Sequence, residues 1–90
     1  MKLAEAMNTY SPALLVLQEL GFQLAVERTR ESEKWKTWVA RKDDRTFFAS
    51  DPLVLLGLVS LWQHRGDSWQ MKAGEDALYD KLISSGGNKV

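Results

Sequence analysis

Lys34-Trp35-Lys36-Thr37-Trp38-Val39-Ala40-Arg41-Lys42-Asp43-Asp44-Arg45-Thr46-Phe47-Phe48-Ala49 reads as two strands joined by a tight turn. β-branched and aromatic residues suit a pleated, half-buried surface. Aspartate tolerates the positive φ that a short hairpin turn demands, so Asp43-Asp44 marks the reversal. The first strand of this pair runs from Lys34 to Lys42, and the second from Arg45 to Ala49 around Phe47 and Phe48. Side chains alternate across a strand, so Trp35, Thr37 and Val39 share one face and Lys36, Trp38 and Ala40 the other. The Trp35–Val39 face is expected to be the buried one.

Working outward, Phe22, Leu24 and Val26 alternate with Gln23, Ala25 and Glu27, which predicts another strand with one buried face. Arg30 to Glu33 forms the polar connection between the two. Ahead of it, Ser11-Pro12 predicts a helix start, with serine at the N-cap and proline where a backbone N–H has no partner anyway. Ala13 to Leu20 follows, and Gly21 is placed to supply the left-handed residue that ends the helix.

Asp51-Pro52 repeats the capping device and opens Leu53 to Trp62, the most hydrophobic segment in the chain. A helix apolar nearly all round is expected to be central and buried on more than one side. Gly57 in its interior is then expected to permit close approach of a neighbour, to offset its cost of up to about 1 kcal/mol against alanine. Gly66 ends this helix, with His64 and Arg65 in the last turn, where positive character suits the dipole. Asp67 and Gln70 are spaced as a capping box. A last helix runs to about Ser85, either from this cap or, where Gly74 breaks it, from near Glu75, and carries Leu78 and Leu82 on one face with Ala77 beside them.

The expected fold is therefore α+β, in the order α-β-β-β-α-α. A three-stranded antiparallel meander is covered on one face by helices. One domain spans residues 1–90, with a ragged N-terminal segment at 1–10 and a disordered tail at 84–90. The helix–strand–strand–strand–helix order resembles that of the double-stranded RNA-binding domain. In that family, lysines at the start of the helix after the third strand contact phosphates. The matching helix here begins Asp51-Pro52-Leu53-Val54, so the resemblance concerns topology and no site residue is carried over from it.

Composition narrows the function. Twelve basic and twelve acidic residues cancel, so no field of one sign steers the chain toward nucleic acid or an anionic membrane. The charge is uneven: Arg28 to Arg45 holds seven basic residues against four acidic ones, a local excess of +3. No cysteine is present, which excludes disulfides and thiol chemistry. The longest apolar stretch, Pro52 to Trp62, is too short to span a bilayer. With an acid at Glu5 where a signal peptide needs an apolar run, the reading is cytoplasmic.

Catalytic chemistry is not indicated. His64 is the only histidine, and no serine is nominated as a nucleophile beside it. Its plain role is that of a helix C-terminal residue. Asp76 and Asp80 share a helix face, but a divalent cation wants more oxygens than two carboxylates supply, and acids near a helix N-terminus need no ligand to explain them. No phosphate-binding glycine loop occurs. No catalytic, cofactor or metal residue is expected, and no enzyme.

The tryptophans carry more information. Trp35 and Trp62 read as core. Trp38, with lysines on either side, has two readings. On an open sheet face it would stack single-stranded bases; beneath the last helix or the Trp69 region it would simply pack. Trp69 reads as that cover, or as an exposed anchor for a protein. The candidate partner surface is Lys34, Lys36, Trp38, Arg41, Lys42, Arg45 and Trp69. The expected function is a small non-enzymatic protein-interaction or regulatory domain, with a protein partner or self-association through surplus apolar surface. The alternative is nucleic-acid binding along the basic and aromatic strand 34–45.

Overall fold

The computed structural model of the chain describes residues 1–29 and 32–86, and the side chains at those positions except within 28–35 and at 86. Helix α1 (Tyr10–Glu19) leads into strands β1 (Gln23–Thr29), β2 (Ser32–Lys42) and β3 (Arg45–Ala49), followed by helices α2 (Pro52–Arg65) and α3 (Asp76–Gly86). Short 3-10 turns occupy Met7–Thr9 and Gly66–Ser68. The strands form one antiparallel sheet in the order β1-β2-β3. This is the expected α+β arrangement.

Local chemistry sets most element ends. Gly21 has φ 95°. Around it the Gly21 N–H donates to the Gln18 carbonyl at 2.9 Å and the Phe22 N–H to the Leu17 carbonyl at 3.0 Å. This is a Schellman C-cap, and its accompanying apolar contact is Phe22 with Leu17, both buried in the core cluster. The β2–β3 turn places Asp43 at φ 56°. The Asp51 carboxylate accepts from the Val54 N–H at 2.8 Å, with Pro52 in the first helical turn. Gly66 ends α2 at φ 74°, after His64 and Arg65.

Three expectations about local structure are corrected first. Ser11 does not cap α1. The 3-10 turn Met7–Thr9 runs straight into the helix, so the Tyr10 N–H already donates to the Met7 carbonyl and Ser11 lies inside the first turn. Asp67 does not open a helix toward Gln70. Its carboxylate is taken by Arg45 and Trp62, and residues 69–75 make no helix before α3. Gly57 admits no neighbour: a Cβ built there meets nothing within 4 Å. Helix α2 buries Pro52, Leu55 and Val59 and turns Val54, Gly57 and Leu61 outward.

The core cluster joins Leu17, Phe22, Ala40, Leu55 and Val59, with Leu24, Trp38, Phe47, Ala49 and Trp62 packed around it. This reverses the expected faces of β2. Phe22 is fixed on the helix side by its cap contact with Leu17, and Leu24, two residues on, shares that side. Leu24 pairs with Ala40, which pairs with Phe47; Val26 pairs with Trp38, which pairs with Ala49. Directly opposed residues share a face, so the register places Trp38 and Ala40 beneath the helices. Trp38 is half-buried against the core cluster, the packed one of its two readings. Val39 pairs with Ala25 and Phe48 on the far face and is nevertheless fully buried. Arg41 reaches past the Ala25–Val39 pair to Glu27 on the same face. The side chain of Trp35 lies outside the described ones.

Helix α3 begins after Gly74 (φ 86°), the later of the two starts the sequence allows, and includes Ser84 and Ser85; residues 87–90 of the expected tail lie outside the described residues. No helix of the described residues is long and apolar enough to cross a membrane.

Candidate functional site

The seven residues expected to form a partner surface fall into separate places. Lys36, Trp38, Lys42 and Arg45 belong to the helix-bearing side of the sheet, and Arg41 to the other. Lys34 has no described side chain. Trp69 lies beyond α2, 42% exposed.

Most of the cations are engaged within the fold. Lys42 Nζ donates to the Leu20 carbonyl at 2.7 Å and sits 5.6 Å from the centre of the Phe22 ring. It thus closes the C-terminus of α1, where a cation is favoured by the helix dipole. Arg41 pairs with Glu27 at 3.5 Å. Arg45 donates from Nε and Nη2 to the two oxygens of Asp67 at 3.1 and 3.0 Å, and its guanidinium lies 4.8 Å from the centre of the Trp62 ring. Trp62 Nε1 donates to the same carboxylate at 2.9 Å. The hydrogen bonds from Arg45, and then that from Trp62, hold the Asp67 carboxyl below its ordinary value. Among the described side chains of this set, Lys36 is a further exposed cation.

Apolar surface is the more prominent feature. Between α1 and the sheet runs an open cleft of about 650 Å³ lined by Leu14, Leu15, Gln18, Leu24, Val26 and Trp38. A second cleft, of about 270 Å³, lies where Phe48, Leu61, Trp62 and Trp69 meet. Phe47 meets Phe22 edge-on and Trp62 at a tilt, with centroids 5.7 and 5.8 Å apart, and Phe47 and Trp62 both line the second cleft. A third, of about 590 Å³, separates the N-terminal segment around Leu3 from α1 and α2.

Helix α3 presents the largest uncovered set. Leu78, Tyr79, Leu82 and Ile83 are 62, 70, 61 and 60% exposed. They are spaced i, i+1, i+4 and i+5, which makes one stripe on a helix. Every described residue from Asp76 to Ser85 is exposed. The start of the helix is held to the body by Arg65, whose Nη2 donates to both oxygens of Glu75 at 2.9 Å, while the Lys72 N–H donates to the same carboxylate. These bonds, that from Lys72 foremost, hold the Glu75 carboxyl below its ordinary value. The Leu78–Leu82 periodicity signals this helix in the sequence; that it stays exposed among the described residues does not show there. Among the described residues no cluster of three or more metal-ligating side chains occurs.

No protein family, curated protein or solved structure matches the chain.

Proposed function

We propose that this chain is a small, non-enzymatic protein-interaction domain, with a regulatory or adaptor role in the cytoplasm, whose binding element is α3. The observation that carries the reading is the exposed stripe Leu78, Tyr79, Leu82 and Ile83 on a helix that buries none of its described side chains. A contiguous apolar face of this kind, rimmed by polar residues, marks an interaction site in soluble folds. An amphipathic helix offered this way is a standard ligand for a hydrophobic groove. Acids flank the stripe at Asp76 and Asp80, against one cation at Lys81, which disfavours an anionic membrane as the surface it meets.

The nucleic-acid alternative draws support from Lys36 and Trp38, which share a sheet face. Against it, Trp38 is half-buried against the core, and Lys42, Arg41 and Arg45 each have a partner within the fold. Few of the cations it needs are left for phosphates.

A photoreactive phenylalanine analogue placed at Tyr79, with a second at Lys36 for comparison, tests the reading in cells that make the protein. Protein adducts from position 79, absent when Leu82→Lys is added, are the expected result. Nucleic-acid adducts from position 36 with none from 79 would replace it with the alternative.

A further inference from the structure

We propose that the chain pairs with a second copy of itself by exchanging α3, the Leu78–Ile83 stripe of each copy seating in the other copy's cleft between α1 and the sheet. The inference rests on α3 being the binding element and names its partner.

The two surfaces match in chemistry. The cleft shows Leu15 at 58% and Val26 at 40% exposure, above the half-buried Leu14, Leu24 and Trp38. Helices α1 and α2 thus cover only part of this sheet face, and one more amphipathic helix would complete the layer. Helix α3 has 11 residues, a length of about 16 Å at 1.5 Å per residue. Charge agrees as well. On a helical projection Asp76 and Asp80 border the stripe on the Ile83 side. Lys36 is exposed two residues from Trp38 on the same sheet face, so it faces the acidic border of a helix laid along the cleft.

The tether favours exchange over closure within one copy. Glu75, immediately before α3, is held by Arg65 at the end of α2, with Gly74 in a left-handed conformation ahead of it. From that fixed start α3 leaves the body with its stripe uncovered.

Area decides for reciprocity. With about 150–250 Å² for a whole aromatic side chain, Tyr79 at 70% exposure offers on the order of 150 Å², and the four-residue stripe on the order of 400 Å². A single helix–cleft contact therefore supplies about half of the roughly 800 Å² per partner that a stable interface uses. In a two-fold exchange each copy contributes both its stripe and its cleft, which reaches that size.

The test uses the full chain, which contains no cysteine. Sedimentation is expected to show mass rising to twice the monomer with concentration. Leu15→Cys and Ile83→Cys chains, mixed and oxidised, are expected to form the mixed disulfide in several-fold excess over either homotypic product. Leu82→Lys is expected to weaken association by about tenfold or more with an unchanged circular dichroism spectrum, since it charges an apolar anchor. Lys36→Asp is expected to weaken it also, and a mixture with Asp80→Lys to regain it. Strictly monomeric behaviour, homotypic disulfides alone, or an internal disulfide in a chain carrying both cysteines would overturn the exchange. A monomer whose position 79 still captures a different protein would overturn the exchange and leave the interaction reading standing; capture of nothing would overturn both.

Discussion

Arg45, the first residue of β3, grips Asp67, in the 3-10 turn after α2, through two hydrogen bonds of 3.1 and 3.0 Å. The pair ties the β2–β3 hairpin to the end of α2, and the Trp62 ring packs under the guanidinium. It turns a residue with the sequence look of a phosphate contact into a structural clamp. The geometry is bidentate, which suits the planar guanidinium and which lysine cannot reproduce.

Acid should loosen both this clamp and the Arg65–Glu75 pair. The folded Asp67 carboxyl lies below its ordinary 3.8, and Glu75 below its ordinary 4.5. Groups depressed on folding stabilise the fold fully above their unfolded values and lose that contribution as pH falls through the lower folded ones. The urea midpoint of the wild type is therefore expected to hold steady from neutral pH to about 4.5 and then drop. Asp67→Asn should lower the midpoint at pH 7 and flatten the acid limb. A mutant with an unchanged midpoint at pH 7 would show that the clamp does not stabilise the fold.

Leu55 and Leu82 are the same residue type in opposite situations. Leu55 is fully buried and Leu82 is 61% exposed. Leu55→Ala should cost about 2–5 kcal/mol, from lost transfer energy and the cavity left behind. That is a large part of the roughly 4–13 kcal/mol expected of a chain this size. Leu82→Ala, in dilute protein, should stay within about 0.5 kcal/mol. Urea denaturation of both variants checks the contrast, and equal losses would mean that α3 packs on the body in solution.

Gly57→Ala should stabilise the protein. The position is helical, and a Cβ there meets nothing within 4 Å. Removing the conformational freedom of glycine from the unfolded chain is worth up to about 1 kcal/mol. A higher melting temperature is the expected outcome. Destabilisation would mean that a neighbour comes close to α2 there after all.

Gly21→Ala should do the opposite, by about 1–2 kcal/mol for a left-handed residue carrying a Cβ. The new methyl would also lie 3.4 Å from Lys42 Cε and Nζ and press on the bond from Lys42 to Leu20. Thermal unfolding of this variant beside Lys42→Met separates the two effects. If the cap conformation dominates, Gly21→Ala costs more than Lys42→Met.

Much of the fold was legible in single residues because those residues act locally. Gly21 and Gly66 at helix ends, Asp43 in the hairpin turn, and Asp51 with Pro52 at the start of α2 each settle the backbone within a few positions of themselves. The alternation of Phe22, Leu24 and Val26, and the helical spacing of Leu78 and Leu82, fixed element type in the same way. What local pattern could not settle was which side of an element would be covered. A strand such as β2 has an apolar residue on both faces, and only its register with β1, inherited from the Phe22–Leu17 cap contact, assigned Trp38 to the helices and Val39 to the far side. Gly57 was misread for the same reason, since the direction in which α2 lies on the sheet is a property of the whole fold. The candidate site followed suit. The cations of 34–45 were visible one by one, but their engagement with Leu20, Glu27 and Asp67 joins residues 14 to 22 positions apart. Charge and periodicity are written along the chain, whereas coverage and pairing depend on distances that exist only once the chain has closed on itself.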